Sequence, residues 1–435
     1  MRGVTLLPWW TMRVLGTRRA RLLVALTSLA LLLLLLVPGV ASAALKDRIA
    51  ATLARYGMSG SGTSAAVFDL TAKRAVYQLR PDVLRLPASN EKLVTSSAAL
   101  ASWAADFRFS TQLFVDAPGP DEEGVVRGNV YLRGLGDATF STASYQRRRW
   151  SMKTGDVQDF VRRLRRVGIT RITGRVVADE GYFDAARRVA NWRPGVLAFC
   201  APLSALTLNA STASGGYVSD PALCAARSLT RRLRNAGIRV VQAPARGVAP
   251  DTAILVYTER SAPLERVLAK MNKPSDNFLA EELLKGLGAG FGGGGSTASG
   301  AAVAERHLQS LGIEKGFRIR DGSGLSYQNR LSARTVVKIL GAMAKRPDFA
   351  VFRRSLAVAG VDGTLKHRMR GTAAAGKVRA KTGTLNDASS LSGYVTTANG
   401  HTLSFALLMN GSPVDVGRAH AAQDAVAVLL ARSSP

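Results

Sequence analysis

Ser89-Asn90-Glu91-Lys92, at the head of EKLVTSSAALASWAAD (residues 91–106), decides how this chain is read. The segment has an apolar stripe among small residues, which predicts a buried helix beginning near the serine after Pro87-Ala88. A lysine three residues beyond a serine shares its helix face, so its amine can reach the hydroxyl. Alone, S-x-x-K fixes only two residues, and Ser89 then reads better as a helix N-cap beside a solvated Lys92. Here the pattern occurs once, and two strings follow it in order: Ser275-Asp276-Asn277 and Lys381-Thr382-Gly383. The first could be a turn between helices and the second an exposed strand start, but neither reading explains all three in one sequence. A second K-T-G at Lys153 to Gly155 receives no role.

Together the strings supply the parts of a serine acyl-transfer site that needs no histidine. A serine hydroxyl is a poor nucleophile until a neighbouring base takes its proton. Lys92 can be that base only when neutral, which requires burial or a second cation, and Lys381 could supply the cation. Ser275 is placed to relay protons between Lys92 and a leaving nitrogen, and Asn277 to donate to a substrate amide and hold Lys92. Lys381 and Thr382 would bind a terminal carboxylate. Beyond Gly383, the backbone N–H of Thr384 would join that of Ser89 as an oxyanion hole, an arrangement worth several kcal/mol. The helix N-terminus at Ser89 helps further.

Around these strings, residues 62–79 read as a β-hairpin turned at Thr71-Ala72-Lys73. Between Ser89 and Ser275 lie 185 residues, more than a helical lobe needs, so an inserted module is implied. FRFSTQLFV (107–115) and VVRGNVYLRGLGD (125–137) read as paired strands, and residues 157–179 as helix then strand. The segment around Ser275 is helical on both sides, with Pro274 at the break. Helix-Gly-Ile-strand punctuation recurs at Gly168, Gly237 and Gly312 at intervals too irregular for a solenoid. Gly286 to Gly295 contains a formal G-x-G-x-x-G, but it follows a helix rather than a strand, so it reads as a flexible loop. VRAKTGTL then leads into alternating strands joined at Asn399-Gly400 and a C-terminal amphipathic helix.

The chain has 435 residues, 47% of them apolar and 20% charged, which is room for two or three globular domains. Arg13, Arg18, Arg19 and Arg21 precede a 16-residue apolar run from Leu22 to Val37, Pro38-Gly39, and Ala41-Ser42-Ala43. The run is shorter than a bilayer-spanning helix needs, so residues 1–43 read as a secretory signal cleaved after Ala43, with an uncleaved anchor as the alternative. Met12 is an alternative start. Losing residues 1–43 removes five arginines and no acid, which lowers the formal charge from +29 to +24. So basic an exported chain is drawn to anionic wall polymers or membrane surfaces, although an arginine-rich proteome would give the same balance. Nucleic acid is excluded as a partner by export and by arginines scattered without a recognition motif. Cys200 and Cys224 form an even pair in an oxidising compartment and are candidates for a disulfide worth about 3 kcal/mol. No metal site is expected, since His307, His367, His401 and His420 form no H-E-x-x-H, and no cofactor is implied.

The chain resembles the class C low-molecular-mass penicillin-binding proteins, the D-alanyl-D-alanine carboxypeptidase/endopeptidase family, over nearly all of residues 45–431. Beyond the three strings, the resemblance is carried by Gly134-Leu-Gly-Asp137, Ala201-Pro-Leu-Ser204 with Asn209, Met271 to Asn277, Asp321-Gly-Ser-Gly-Leu-Ser326, Thr384 and Leu391-Ser-Gly-Tyr394. It implies an α/β (α+β) penicilloyl-serine-transferase (β-lactamase-like) core, an antiparallel sheet flanked by helices with a helical lobe. Residues 44–105 and 255–435 would form that core, with residues 106–254 as an inserted mixed α/β region. It also implies hydrolysis of peptidoglycan stem peptides and covalent capture of β-lactam inhibitors. Ser89 would be the acylated nucleophile, Lys92 the base, Ser275 the second relay hydroxyl and Lys381 the carboxylate anchor. A class A β-lactamase would bring the first two strings closer together and add an E-x-x-L-N segment, which is absent. A Ser-His-Asp esterase would show G-x-S-x-G, also absent. A cell-wall scaffold that has lost turnover would form no covalent adduct with penicillin.

Overall fold

The structure is a computed structural model that describes residues 37–435, with side chains from Leu45 onward. Most of the apolar run and its basic flank lie outside the described residues. Among the described residues the first helix, α1 (Val37–Arg55), runs through Pro38-Gly39 and Ala41-Ser42-Ala43, so the expected cleavage point falls inside a continuous helical backbone. Among the described residues no helix is long and apolar enough to cross a membrane. The predicted hairpin forms from β1 (Thr63–Asp69) and β2 (Arg74–Leu79). Its turn is held by Asp69, whose Oδ1 accepts the Thr71 and Ala72 N–H groups, both at 2.9 Å. A single 3₁₀ turn, Ala88–Asn90, then opens α2 (Glu91–Ser102), the helix predicted at the serine.

The chain next builds a module with its own core. Its elements are β3 (Ser110–Val115), β4 (Val130–Gly134), α3 (Val157–Arg166), β5 (Val176–Asp179), α4 (Pro221–Asn235), β6 (Ala245–Arg246) and β7 (Ile254–Arg260). These strands form a sheet in the order β6-β5-β4-β3-β7. Thr111, Leu113 and Val115 alternate inward along β3, and α3 and α4 bury Phe160, Leu164, Leu229 and Leu233 against the same core. The return strand β7 runs antiparallel to β3, pairing Arg260 with Ser110. Residues 255–260, expected in the C-terminal part, therefore close the sheet of the insert. Strand complementarity between Ser110–Val115 and Ile254–Arg260, so far apart in the chain, has no local signature. The glycines that end the recurring helices, Gly168, Gly237 and Gly312, adopt φ of +80°, +86° and +71°, as left-handed closers do.

The remainder folds back onto the hairpin. It comprises α5 (Leu264–Asn272), α6 (Asn277–Phe291), α7 (Thr297–Ser310), α8 (Ala333–Ala344), β8 (Ala357–Val358), β9 (Val378–Leu385), β10 (Ala388–Thr396), β11 (Thr402–Asn410) and α9 (Val416–Arg432). The sheet runs β8-β9-β10-β11-β1-β2, so the N-terminal hairpin pairs with the last strand. Period-two alternation on β11 sends Phe405, Leu407 and Met409 to the layer under α1 and α9, with Ile49, Leu53 and Val426. Ala406 and Leu408 face the other layer, with Leu93 of α2 and Leu340 of α8. Burying each large side chain contributes about 1.5–3 kcal/mol, which holds helices to both faces of the sheet.

The glycine-rich stretch departs from expectation. Gly286, Gly288 and Gly290 lie within α6, which runs to Phe291, and only the short link before α7 is irregular. A Cβ on Gly288 would sit 2.8 Å from the Gly300 nitrogen, and one on Gly300 would sit 1.9 Å from the Leu284 carbonyl oxygen. The glycines therefore let two buried helices cross at close range rather than loosening a loop.

Candidate active site

Three elements converge on a cleft of about 790 Å³ whose walls include Ser89, Ser275, Asn277, Thr382, Gly383 and Thr384. The 3₁₀ turn sets Ser89 one turn before Lys92, and the Lys92 amine donates to Ser89 Oγ at 2.9 Å. Two more acceptors surround that amine: Asn277 Oδ1 at 2.7 Å and the Ser323 carbonyl at 2.6 Å. Ala88 enters the turn with φ +48°, a left-handed conformation that a side chain adopts at a cost of about 1–3 kcal/mol. Asn90, unassigned from sequence, ties the turn to the sheet by donating to the Lys381 carbonyl at 3.1 Å and to Ser390 Oγ at 2.8 Å.

Ser275 occupies the break between α5 and α6, also left-handed at φ +64°. Asp276 caps α6 by accepting the Leu279 N–H at 3.0 Å, and its other oxygen pairs with Arg149 of the insert. That cap aims Asn277 inward from the first residue of the helix. While its oxygen holds Lys92, its amide nitrogen donates at 2.9 Å to the Phe199 carbonyl, on a strap from the insert. The donor expected to meet a substrate amide is thus already in contact with a backbone carbonyl at the rim of the cleft.

On β9, Lys381 is fully buried and donates to Ser275 Oγ at 2.9 Å and to the Thr382 carbonyl at 2.8 Å. Thr382 Oγ1 donates to Thr364 Oγ1 at 2.8 Å. Antiparallel pairing with β10 sets Gly383 opposite Ser390 and Thr384 opposite Ser389. A Cβ on Gly383 would lie 2.8 Å from the Ser89 nitrogen and 2.9 Å from the Pro87 carbonyl oxygen. Only glycine lets this strand approach the serine turn closely enough for its neighbours to share one bound group.

Burial lowers the Lys92 amine from its ordinary value to about 8, against the pull of Asp321, Glu281, Asp276 and Cys200, all of which favour the charged form. Of the two routes open from sequence, burial or a second cation at Lys381, burial is the larger cause. Lys381 is itself pushed well below the usual lysine range, by burial first and by Lys92 second. At pH 7 a lysine with a pKa near 8 is neutral about a tenth of the time, roughly 300-fold more often than an exposed one.

Cys200 and Cys224 are separate thiols, so the expected disulfide is not formed. Cys200 is buried at the end of the strap beside Ser275 and Asn277, whereas Cys224 lies in the first turn of α4, packed with the insert. A shared compartment and an even count did not bring them together.

Beneath the serine turn runs the loop Asp321–Ser326. Gly324 has φ +86°, and a Cβ there would lie 1.9 Å from the Ala88 carbonyl oxygen. Gly324→Ala is therefore expected to cost about 2–4 kcal/mol, lower the melting temperature by several degrees and slow acylation by penicillin. Thermal melting and labelling of one preparation would check both.

A buried lysine bonded to a helix-borne serine, a second serine–lysine pair opposite and a glycine-bearing edge of an antiparallel sheet define an active-serine enzyme of the penicilloyl-serine-transferase fold. The comparisons with known proteins narrow this further. The D-Ala-D-Ala carboxypeptidase 3 (S13) family matches residues 45–215 and 212–433, and the chain belongs to that family. It is 31% identical to a D-alanyl-D-alanine carboxypeptidase of Actinomadura sp. (strain R39), across 96% of this chain and 91% of that protein. Penicillin-binding protein 4 of Haemophilus influenzae has the same fold, with a TM-score of 0.72 and 21% identity over 86% of this chain and 97% of that one. A predatory endopeptidase of Bdellovibrio bacteriovorus matches with a TM-score of 0.53 and 19% identity over 83% and 90% of the two chains.

Proposed function

We propose that this protein is a serine-type D-Ala-D-Ala carboxypeptidase that acts on peptidoglycan stem peptides through an acyl-enzyme at Ser89. The observation that carries this reading is the bond between the Lys92 amine and Ser89 Oγ at a cleft bounded by Thr382–Thr384. Lys92 takes the serine proton as Oγ attacks the carbonyl of the penultimate D-alanine. The oxyanion that forms faces the N–H groups of Ser89 and Thr384. Lys381 and Thr382 hold the terminal carboxylate, and Ser275 passes the proton on to the departing amine. Water then cleaves the ester, with Lys92 again as base. A β-lactam enters as a mimic of the same terminus and stays as a penicilloyl ester.

A carboxypeptidase and an endopeptidase both occur among the proteins this chain resembles, so cross-link cleavage belongs to the same proposal. Products released from purified peptidoglycan test it. Free D-alanine is expected from pentapeptide stems, and monomeric muropeptides from dimers if cross-links are cut. A preparation that binds penicillin but releases neither would leave a binding protein instead. Export to the cell envelope, with residues 1–43 as a cleaved leader, fits the substrate. The high positive charge supports attraction to anionic wall polymers or membrane surfaces.

A further inference from the structure

The loop beneath the serine turn is held by two carboxylates that lie outside the three strings and outside the cleft. Glu281 of α6 accepts the N–H of Ser323 at 2.8 Å and that of Gly322 at 3.1 and 3.2 Å. Asp321 accepts the N–H groups of Gly324 at 2.8 Å and Ser326 at 2.6 Å, Asn329 Nδ2 at 2.6 Å and the Trp192 indole at 2.8 Å. Both carboxylates are fully buried. Glu281 lies four positions after Asn277, so they share a face of α6. One supplies an acceptor to Lys92 directly, and the other holds the peptide that carries a second acceptor.

We propose that Glu281 is a positioning residue: by gripping the N–H groups of Gly322 and Ser323 it aims the Ser323 carbonyl at Lys92 Nζ and so fixes the direction of the amine's lone pair. The inference rests on the reading of Lys92 as the base. An ammonium group has three N–H bonds, and the three acceptors around Lys92 match them. After losing a proton the amine keeps two N–H bonds and gains one lone pair. Asn277 Oδ1 and the Ser323 carbonyl take the two hydrogens, which leaves the lone pair facing Ser89 Oγ, where a base must point. If the Ser323 carbonyl drifts, the amine can turn, and its basicity is no longer directed at the hydroxyl.

The same grip influences when Lys92 is charged. The groups around its amine are Asp321, Glu281, Asp276 and Cys200, with Lys381 across the relay and Glu91 buried next to it in the chain. Burial, then Asp321, raises Glu281 to about 8 against the pull of its N–H donors, and the charge of Glu281 is among those that favour the ammonium form of Lys92. A carboxylate at Glu281 and an aimed carbonyl at Ser323 both favour the ammonium. Removing Glu281 therefore lowers the pH at which Lys92 becomes neutral.

The test is the acylation rate of the full chain by a fluorescent penicillin from about pH 5 to about pH 10, with melting curves, for Glu281→Ala, Glu281→Gln and Lys92→Ala. Glu281→Ala is expected to lower the plateau rate at least about tenfold and to move the half-maximal pH down by about half a unit or more. Glu281→Gln keeps a side-chain carbonyl to accept the Ser323 N–H, so it is expected to stay within about threefold of the native plateau while its half-maximal pH also moves down. An unshifted profile in both variants, with rates falling only as the folded fraction falls, overturns the proposal. A glutamine variant as slow as alanine overturns it too. If alanine does not fold, the glutamine profile decides alone, since an unmoved half-maximal pH contradicts an influence of Glu281 on Lys92. Lys92→Ala separates the two levels: a native rate there sinks the base reading, and this inference with it. An inactive Lys92→Ala beside unshifted Glu281 variants sinks only the inference.

Discussion

Ser89→Ala is expected to leave a folded protein that takes no label from fluorescent penicillin. The hydroxyl makes one bond of consequence, to the Lys92 amine, and sits at the cleft wall rather than in the core. Its removal deletes the atom that forms the ester and little else, so the melting temperature should stay within a few degrees of native. Stem-peptide hydrolysis should vanish with labelling, because acylation is the first covalent step of both. Retained labelling would place the nucleophile at another residue, and Ser275, the other hydroxyl bonded to a buried lysine, would be the first to test.

Lys92→Ala should have the next largest effect, a fall of about a thousandfold in acylation with much smaller change in non-covalent binding of the β-lactam. The lysine serves proton transfer, whereas the carboxylate end of the ligand meets Lys381 and Thr382. In the native protein the same chemistry sets a pH dependence. The Lys92 pKa is depressed to about 8, so the active, neutral amine gains population as pH rises. Acylation should climb about tenfold per unit below pH 8 and level off above it. An exposed lysine would still be climbing near pH 10. Equal losses of binding and acylation in Lys92→Ala would mark the lysine as mainly structural.

Much of the site could be read from the sequence because its parts are local. Ser89 and Lys92 are three residues apart on one helix, Asp276 caps the helix that starts at Asn277, and Lys381 to Thr384 lie on one strand. Each such string carries its own geometry. What escaped was long-range. Asn90 bonds to Ser390 across 300 residues, Trp192 to Asp321 across 129, and β7 pairs with β3 only once the insert has closed. Spacing along the chain holds no record of these contacts. Glu281 looks like an ordinary helix acid, and only its place four residues beyond Asn277 hints at the shared face. The glycines after residue 285 misled for the opposite reason: a missing side chain serves a close helix crossing as well as it serves a flexible link. Charge alone could not apportion the two lysine pKa values either, because both depend first on how deeply each amine is buried.

A crystal structure of the benzylpenicillin-treated protein tests the convergence most directly. The account predicts an ester on Ser89 Oγ, its carbonyl oxygen within hydrogen-bond distance of the Ser89 and Thr384 nitrogens, its carboxylate at Thr382, and the Lys92 amine still directed at the ester oxygen. An adduct on any other side chain, or a Lys92 amine turned away from Ser89 with Ser275 and Lys381 remote from the ligand, would contradict it.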